Sequence, residues 1–256
     1  MEPERIETYR LLAGLPGHRR RVERALEFVG AMLSQCRNPY VAWSGGKDST
    51  VLLHLCMRVR PSIPAVCCQT DIDLPDNIEF VPRAAAEMGI NLTVIRPRVS
   101  AWEVLVETGG PFGQVNVATS RLDRECFFEP IMALVRERGY DLVFLGLRGE
   151  ESRARLLNRR VRGLSYRNQT HDITTATPIA DWSGRDVMAY LVGNDIPINP
   201  VYSKTKFHPE PERVREGWWV PGEKGAAHGG VLWLRYYYPE LYQRLAREWP
   251  EVASFG

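Results

Sequence analysis

Apolar residues recur every three or four positions between Arg21 and Leu33, where Val22, Ala25, Leu26, Val29 and Met32 fall on one helical side. Residues 1–38 therefore read as helical. The pattern then changes to a short β-like run, Tyr40-Val41-Ala42-Trp43, followed by the polar turn Ser44-Gly45-Gly46-Lys47-Asp48-Ser49 and a helix over residues 50–59. Further buried strands are expected over residues 65–70, 92–95 and 141–147. Helices are expected over residues 75–88, 101–107, 122–138 and 183–192, with Pro75 opening the first and Ser183 capping the last. Strands that alternate with helices predict an α/β fold with a doubly wound, mostly parallel sheet. Residues 209–228 are rich in Pro, Gly and charge and read as irregular, and the aromatic stretch over residues 230–247 reads as helical after Pro239. The expected organisation is one α/β domain over residues 1–205, including helical N-terminal segments. Residues 206–256 would form an irregular segment and an aromatic C-terminal helix packed on the same domain.

Composition narrows the class. The chain has 256 residues, 44% hydrophobic and 25% charged, which argues for a folded domain rather than wholesale disorder. No apolar stretch approaches the roughly 20 residues that a bilayer requires. The N-terminal MEPERIETYR is charged and lacks an apolar centre, so a cytoplasmic location and no membrane partner are expected. Five cysteines occur, at 36, 56, 67, 68 and 126, with no C-x-x-C spacing. That pattern speaks against a disulfide framework and against a zinc site. Cys56, Cys67 and Cys68 read as core residues, and Cys126 as structural or as a redox or sulfur-carrying thiol.

The net charge of +2 hides an uneven distribution. Residues 147–167 hold seven arginines, at 148, 153, 155, 159, 160, 162 and 167, against Glu150 and Glu151. Arg19, Arg20 and Arg21 form a second short run. Such runs are either solvated helix faces or sites for phosphate, sulfate or nucleic acid, and the sequence leaves both open. The histidines, at 18, 54, 171, 208 and 228, read as surface or satisfied core residues, with His228 the candidate for a place near the site. Trp218, Trp219 and Trp233 read as packing rather than as stacking platforms.

A Gly-rich turn between a strand and a helix can gather backbone N–H groups around one phosphate. Gly45 and Gly46 permit the close approach, Lys47 adds positive charge, Ser44 and Ser49 offer hydroxyls, and Asp48 could hold a Mg²⁺ ion or orient the loop. This is not a Walker A loop, because Val41 stands at the first glycine position and Asp48 follows the lysine.

The Ser44–Ser49 segment resembles the pyrophosphate loop of the adenine-nucleotide α-hydrolase, or PP-loop, superfamily. Gly146-Leu147-Arg148-Gly149-Glu150-Glu151-Ser152-Arg153-Ala154-Arg155 resembles the G-x-R-x-x-x-S-x-x-R motif of phosphoadenylylsulfate (PAPS) reductases. Two further segments are similar to that family. One runs from Gln69 to Pro75 and keeps Thr70 and Pro75. The other is Pro178-Ile179-Ala180-Asp181-Trp182-Ser183, with Asp186-Val187 and Pro200-Val201-Tyr202 beyond it. The resemblance implies a nucleotide site built from Ser44, Gly45, Gly46, Lys47, Asp48, Ser49, Thr70, Gly146, Arg148 and Ser152, with Lys47, Asp48, Arg148 and Arg155 acting on the phosphates.

The pattern breaks at one place. The family's E-C-G-x-H segment near the C-terminus carries a nucleophilic cysteine, and the nearest counterpart here, Lys224-Gly225-Ala226-Ala227-His228, has Gly225 instead. Paired cysteines for an iron–sulfur cluster are also missing, so no cluster is expected. The expectation that follows is an ATP pyrophosphatase that splits ATP, with Mg²⁺, to AMP and pyrophosphate. It would activate a phosphate for sulfur insertion, as in the ATP pyrophosphatases of DNA phosphorothioation. DNA could meet the two Arg-rich segments, and a sulfur-donor or partner protein is implied. Two alternatives stand beside it: a sulfonucleotide reductase that uses an external thiol or Cys126, and a non-catalytic ATP-binding module. The aromatic C-terminal helix permits a homodimer without requiring one.

Overall fold

A computed structural model describes residues 1–110, 121–169, 171–207, 210–214 and 229–255. Parallel strands must be apolar on both faces, and the chain supplies them in short pieces. These are β1 (Pro39–Ala42), β2 (Ala65–Cys68), β3 (Leu92–Ile95), β4 (Leu142–Phe144), β5 (Ser165–Asn168) and β6 (Ile173–Ala176). They form one sheet in the order β3-β2-β1-β4-β6-β5. β1 runs parallel to both β2 and β4, β4 runs parallel to β6, and β5 is antiparallel to β6. The expected α/β architecture with a mostly parallel sheet is therefore the one the chain adopts. The order turns back at β1, because the chain moves outward to β2 and β3 and then returns to place β4 on the other side. Open α/β sheets bind ligands at the carboxyl ends of the strands beside such a reversal.

The chain divides into two compact units. Unit 1 comprises Met1–Cys67, Glu79–Ile95 and Met132–Asn199. It contains α1 (Pro3–Gly14), α2 (Pro16–Gln35), α3 (Lys47–Val59), most of α4 (Pro75–Met88), most of α6 (Glu129–Arg138), α7 (Arg153–Arg162) and α8 (Gly184–Gly193). Its core joins Val41 and Trp43 of the β1 segment, Leu52, Leu53 and Leu55 of α3, and Val187, Met188 and Leu191 of α8. α1 packs closely on α8, since a Cβ on Gly193 would lie 2.5 Å from that of Ala13. Unit 2 comprises Cys68–Ile78, Arg96–Ile131 and Pro200–Gly256. Its helices are α5 (Ala101–Glu107), α9 (Gly230–Tyr237) and α10 (Pro239–Glu248). Trp233 is buried there and donates its Nε1–H to the Lys204 carbonyl, in keeping with the packing expected of it.

Several elements differ from the sequence expectation, among them β2, which ends at Cys68 rather than at residue 70, and α9, which forms before Pro239. β4 is shorter than 141–147 at both ends. The Asp141 carboxylate instead accepts the Arg37 and Asn38 amides just before β1. α3 begins at Lys47 rather than at residue 50, so the loop's lysine is its first residue. The helix expected over 122–138 contains a π-type turn over Asp123–Phe128 before α6. Pro130 has no N–H to donate to the Cys126 carbonyl, and that carbonyl accepts the Cys68 thiol instead, at 3.2 Å. Finally, the β5–β6 hairpin was not expected at all.

Candidate functional site

Gly45 takes φ +80°, a conformation that L side chains rarely adopt, and this lets the chain turn sharply from β1 into α3. Gly46 is the N-cap of α3 and provides no side-chain cap, so the positive end of this 13-residue helix faces the turn. The turn is braced from within. Ser49 Oγ donates to the Gly46 carbonyl at 3.0 Å, the Ser44 amide donates to Ser49 Oγ at 3.2 Å, and the Gly46 amide donates to Ser44 Oγ at 3.3 Å. Trp43 Nε1–H donates to Thr50 Oγ1 at 2.9 Å, tying the strand end to the first turn of the helix. Asn199 Nδ2–H reaches the Gly45 carbonyl at 3.4 Å. A compact turn held by these bonds results.

The second motif comes beside it from the end of β4. Gly146 passes so close to α3 that a Cβ there would lie 2.9 Å from the Asp48 carbonyl carbon and the Ser49 nitrogen. Arg148 follows and is only 3% exposed. Its Nε–H donates to Asp48 Oδ1 at 2.5 Å and its Nη1–H to Glu150 Oε2 at 2.6 Å. Lys47, 4% exposed, donates from Nζ to the other Asp48 oxygen at 2.8 Å. Asp48 thus bridges the two cations of the site. Glu150 also accepts the Gly184 amide at 2.7 Å, and this links the motif to the start of α8.

The structure therefore brings Ser44, Gly45, Gly46, Lys47, Asp48, Ser49, Gly146 and Arg148 together. Ser152 caps α7, accepting the Arg155 amide at 3.2 Å, and Arg155 pairs with Glu151. Thr70 belongs to unit 2, where it is buried and donates to Asp73 Oδ1 at 2.8 Å. Lys224 to His228, including Gly225, and Trp218 and Trp219 lie outside the described residues. The acidic partners Glu150 and Glu151, the brace Asn199 and the Trp43–Thr50 bond were not singled out from sequence. The two glutamates sit inside the arginine run and were the one available signal.

No group of three or more acidic, His or Cys side chains suited to a metal occurs among the described residues. Both Asp48 oxygens are held by Lys47 and Arg148. The donor set therefore does not fit a protein-held Mg²⁺ ion at Asp48. The thiols are equally unprepared for nucleophilic work. Burial pushes Cys126 up to about 11 and Cys68 up to about 12, and raises Cys56 and Cys36 as well.

The arginine run is mostly a solvated face. α7 buries none of its residues, Arg159 forks onto Asp181 at 2.7 and 3.0 Å, and Arg167 pairs with Asp172 at 2.6 Å. In the N-terminal run, Arg21 lies 3.5 Å from Asp186.

Known proteins share sequence and fold with this chain. The phosphoadenosine phosphosulfate reductase domain family model matches residues 38–244. A phosphoadenosine 5'-phosphosulfate reductase of Alkalilimnicola ehrlichii is 32% identical over 162 residues, 63% of this chain and 64% of that protein. The chain thus spans a little under two thirds of that relative's length. The crystal structure of a PAPS reductase from Candida auris superposes with a TM-score of 0.57 at 19% identity, over 79% of this chain and 92% of the other. The FMN adenylyltransferase of Candida glabrata in complex with ATP gives 0.58 at 12% identity, over 83% and 67%. These two likenesses show the fold alone.

Proposed function

Because the chain belongs to the phosphoadenosine phosphosulfate reductase domain family, we propose that it binds an adenylyl sulfonucleotide at the Ser44–Ser49 loop and catalyses its reduction to sulfite by external thiols. The observation that carries this reading is the cradle itself: a glycine turn, an uncapped helix start, and Lys47 and Arg148 held side by side by Asp48. Positive charge fixed before the ligand arrives needs no reorganisation as negative charge grows on the departing phosphate.

The chemistry balances with two thiols. An external thiolate attacks the sulfonate sulfur, an S–S bond forms, and the S–O bond to the nucleotide breaks. Adenosine bisphosphate leaves with the electron pair. A second thiolate attacks the thiol-derived sulfur, forming a disulfide and releasing sulfite, while two protons pass to solvent. Two thiols are oxidised and sulfur is reduced by two electrons. The chain's part is to orient the nucleotide and stabilise the phosphate that leaves. Its own described cysteines are buried or held protonated, which supports an outside donor.

A second reading is favoured by those same quiet thiols: ATP pyrophosphatase chemistry in sulfur insertion, with ATP on the same loop and DNA meeting the arginine-rich surface. The two separate in one assay. Purified protein is given either PAPS with dithiothreitol or thioredoxin, or Mg-ATP with and without duplex DNA. Sulfite and adenosine 3',5'-bisphosphate in the first arm support the reductase. AMP and pyrophosphate in the second, with no sulfite in the first, overturn it in favour of the pyrophosphatase.

A further inference from the structure

Glu150 stands where the buried arginine of the site meets solvent. We propose that its carboxylate is a displaceable latch on Arg148, holding the place that a phosphate or sulfonate oxygen of the ligand takes. Glu150 then sets the site's selectivity for charge, given the reading above that an anionic adenine nucleotide binds at the Ser44–Ser49 loop. One oxygen, Glu150 Oε2, accepts from two donors at once: Arg148 Nη1–H at 2.6 Å and the Gly184 amide at 2.7 Å. Gly184 is the first residue of α8, where amides have no acceptor within the helix. Two N–H groups of different origin that converge on one anionic oxygen suit a phosphate or sulfonate oxygen as well as a carboxylate.

The donors are fixed and the acceptor is not. Arg148 is 3% exposed, and its Nε–H is tied to Asp48, which also holds Lys47. The Glu150 side chain is 58% exposed. Rotation into water leaves its carboxylate hydrated and restores its rotamer freedom, and ion pairs with an exposed partner are weakly held. The other acceptor at Arg148 Nη1 is the Trp182 carbonyl, at 3.4 Å, a contact too long to replace an anion. Charge points the same way. Lys47 and Arg148 are matched by Asp48 and Glu150, so these four side chains carry no net charge. With Glu150 turned away, one positive charge is uncovered where the Arg148 and Gly184 N–H groups meet. A latched population weakens apparent affinity by the fraction of molecules that are open. That loss falls on every ligand that must reach Arg148 and on none that need not.

The test is calorimetric titration of wild type, Glu150→Ala, Glu150→Gln and Lys47→Ala with PAPS, ATP and adenosine, with Tm measured free and at saturation. The nucleotide that binds wild type should bind Glu150→Ala about three- to tenfold tighter, and Glu150→Gln tighter by a smaller factor. Adenosine, which brings no oxyanion, should show no gain. Glu150→Ala should lower the Tm of the free protein but not that of the nucleotide-bound protein, in which the carboxylate has already left Arg148. A purely structural ion pair would lower both and bring no gain in affinity. The proposal is overturned if Glu150→Ala binds the nucleotide no tighter than wild type while Lys47→Ala weakens binding, if adenosine gains as much as the nucleotide, or if Tm falls equally in the free and saturated proteins. Failure of the loop reading looks different: Lys47→Ala binds nucleotide as wild type does, or none of the four proteins binds PAPS or ATP. Either result overturns both.

Discussion

Asp48 is the residue on which the candidate site turns, because Lys47 and Arg148 both bond to its carboxylate. Such an arrangement is strong only while complete. Arg148→Ala leaves Asp48 with Lys47 alone and Glu150 with only the Gly184 amide, and breaking a buried pair costs about 3–5 kcal/mol. A large drop in the denaturant midpoint is therefore expected. Arg148→Lys should recover less than half of it, since an ammonium group cannot fork to both carboxylates. Gly146→Ala is a separate probe. Its methyl group would lie 2.9 Å from the backbone of Asp48 and Ser49, and the loop would have to shift. Overpacking of this kind costs about 1–3 kcal/mol, and adenine-nucleotide affinity should fall at least tenfold by calorimetry. The thiols give a third prediction. With Cys126 pushed up to about 11 and Cys68 up to about 12, Cys126→Ser and Cys68→Ser should each keep thiol-dependent sulfite release within about twofold of wild type. Loss of sulfite release in Cys126→Ser would return the nucleophile to this chain.

Two helix starts show how much of the molecule is local. Ser183 caps α8 and shares a reciprocal capping box with Asp186, as the sequence suggested for the serine. Ser183→Ala should cost about 1 kcal/mol in a urea melt. Asp186 also faces His18 and Arg21, each at 3.5 Å. Burial alone would raise its pKa, but bonds from His18 and Ser183 and the charge of Arg21 outweigh it and hold the carboxyl well below the usual range. A depressed carboxyl contributes stability that is present above its unfolded pKa of about 3.9 and is lost as pH falls toward the folded value. Wild type should therefore lose stability below about pH 4, and Asp186→Asn should be less stable at pH 7 with a shallower acid limb. The β1–loop–α3 segment was legible because strand, glycine turn and helix follow one another in the chain. The β5–β6 hairpin was not. Ser-Tyr-Arg-Asn and Ile-Thr-Thr-Ala carry little apolar bulk, and they form strands because β6 pairs with β4. The Asn199 brace on Gly45 spans 154 positions, a separation that no local pattern reveals.

At the scale of the molecule, the family was readable from ordered motifs, and the matched residues 38–244 run from just before β1 into α10. What the motifs did not carry was the balance of charge around Arg148, since pairing with Asp48 and Glu150 requires the folded turn. No described helix is long and apolar enough to cross a membrane. In the proposed reading the chain positions a sulfonucleotide while the sulfur is taken up by a thiol from elsewhere. The direct measurement uses PAPS labelled with ³⁵S in its sulfonate, incubated with wild type and Lys47→Ala, with and without thioredoxin or dithiothreitol, and follows where the label goes. On that reading labelled sulfite appears from wild type only when the external thiol is present, no label is found on the protein at any time, and release from Lys47→Ala is at least a hundredfold slower. Label bound to the protein before reductant is added, or label that stays on the nucleotide with every thiol tried, would contradict it.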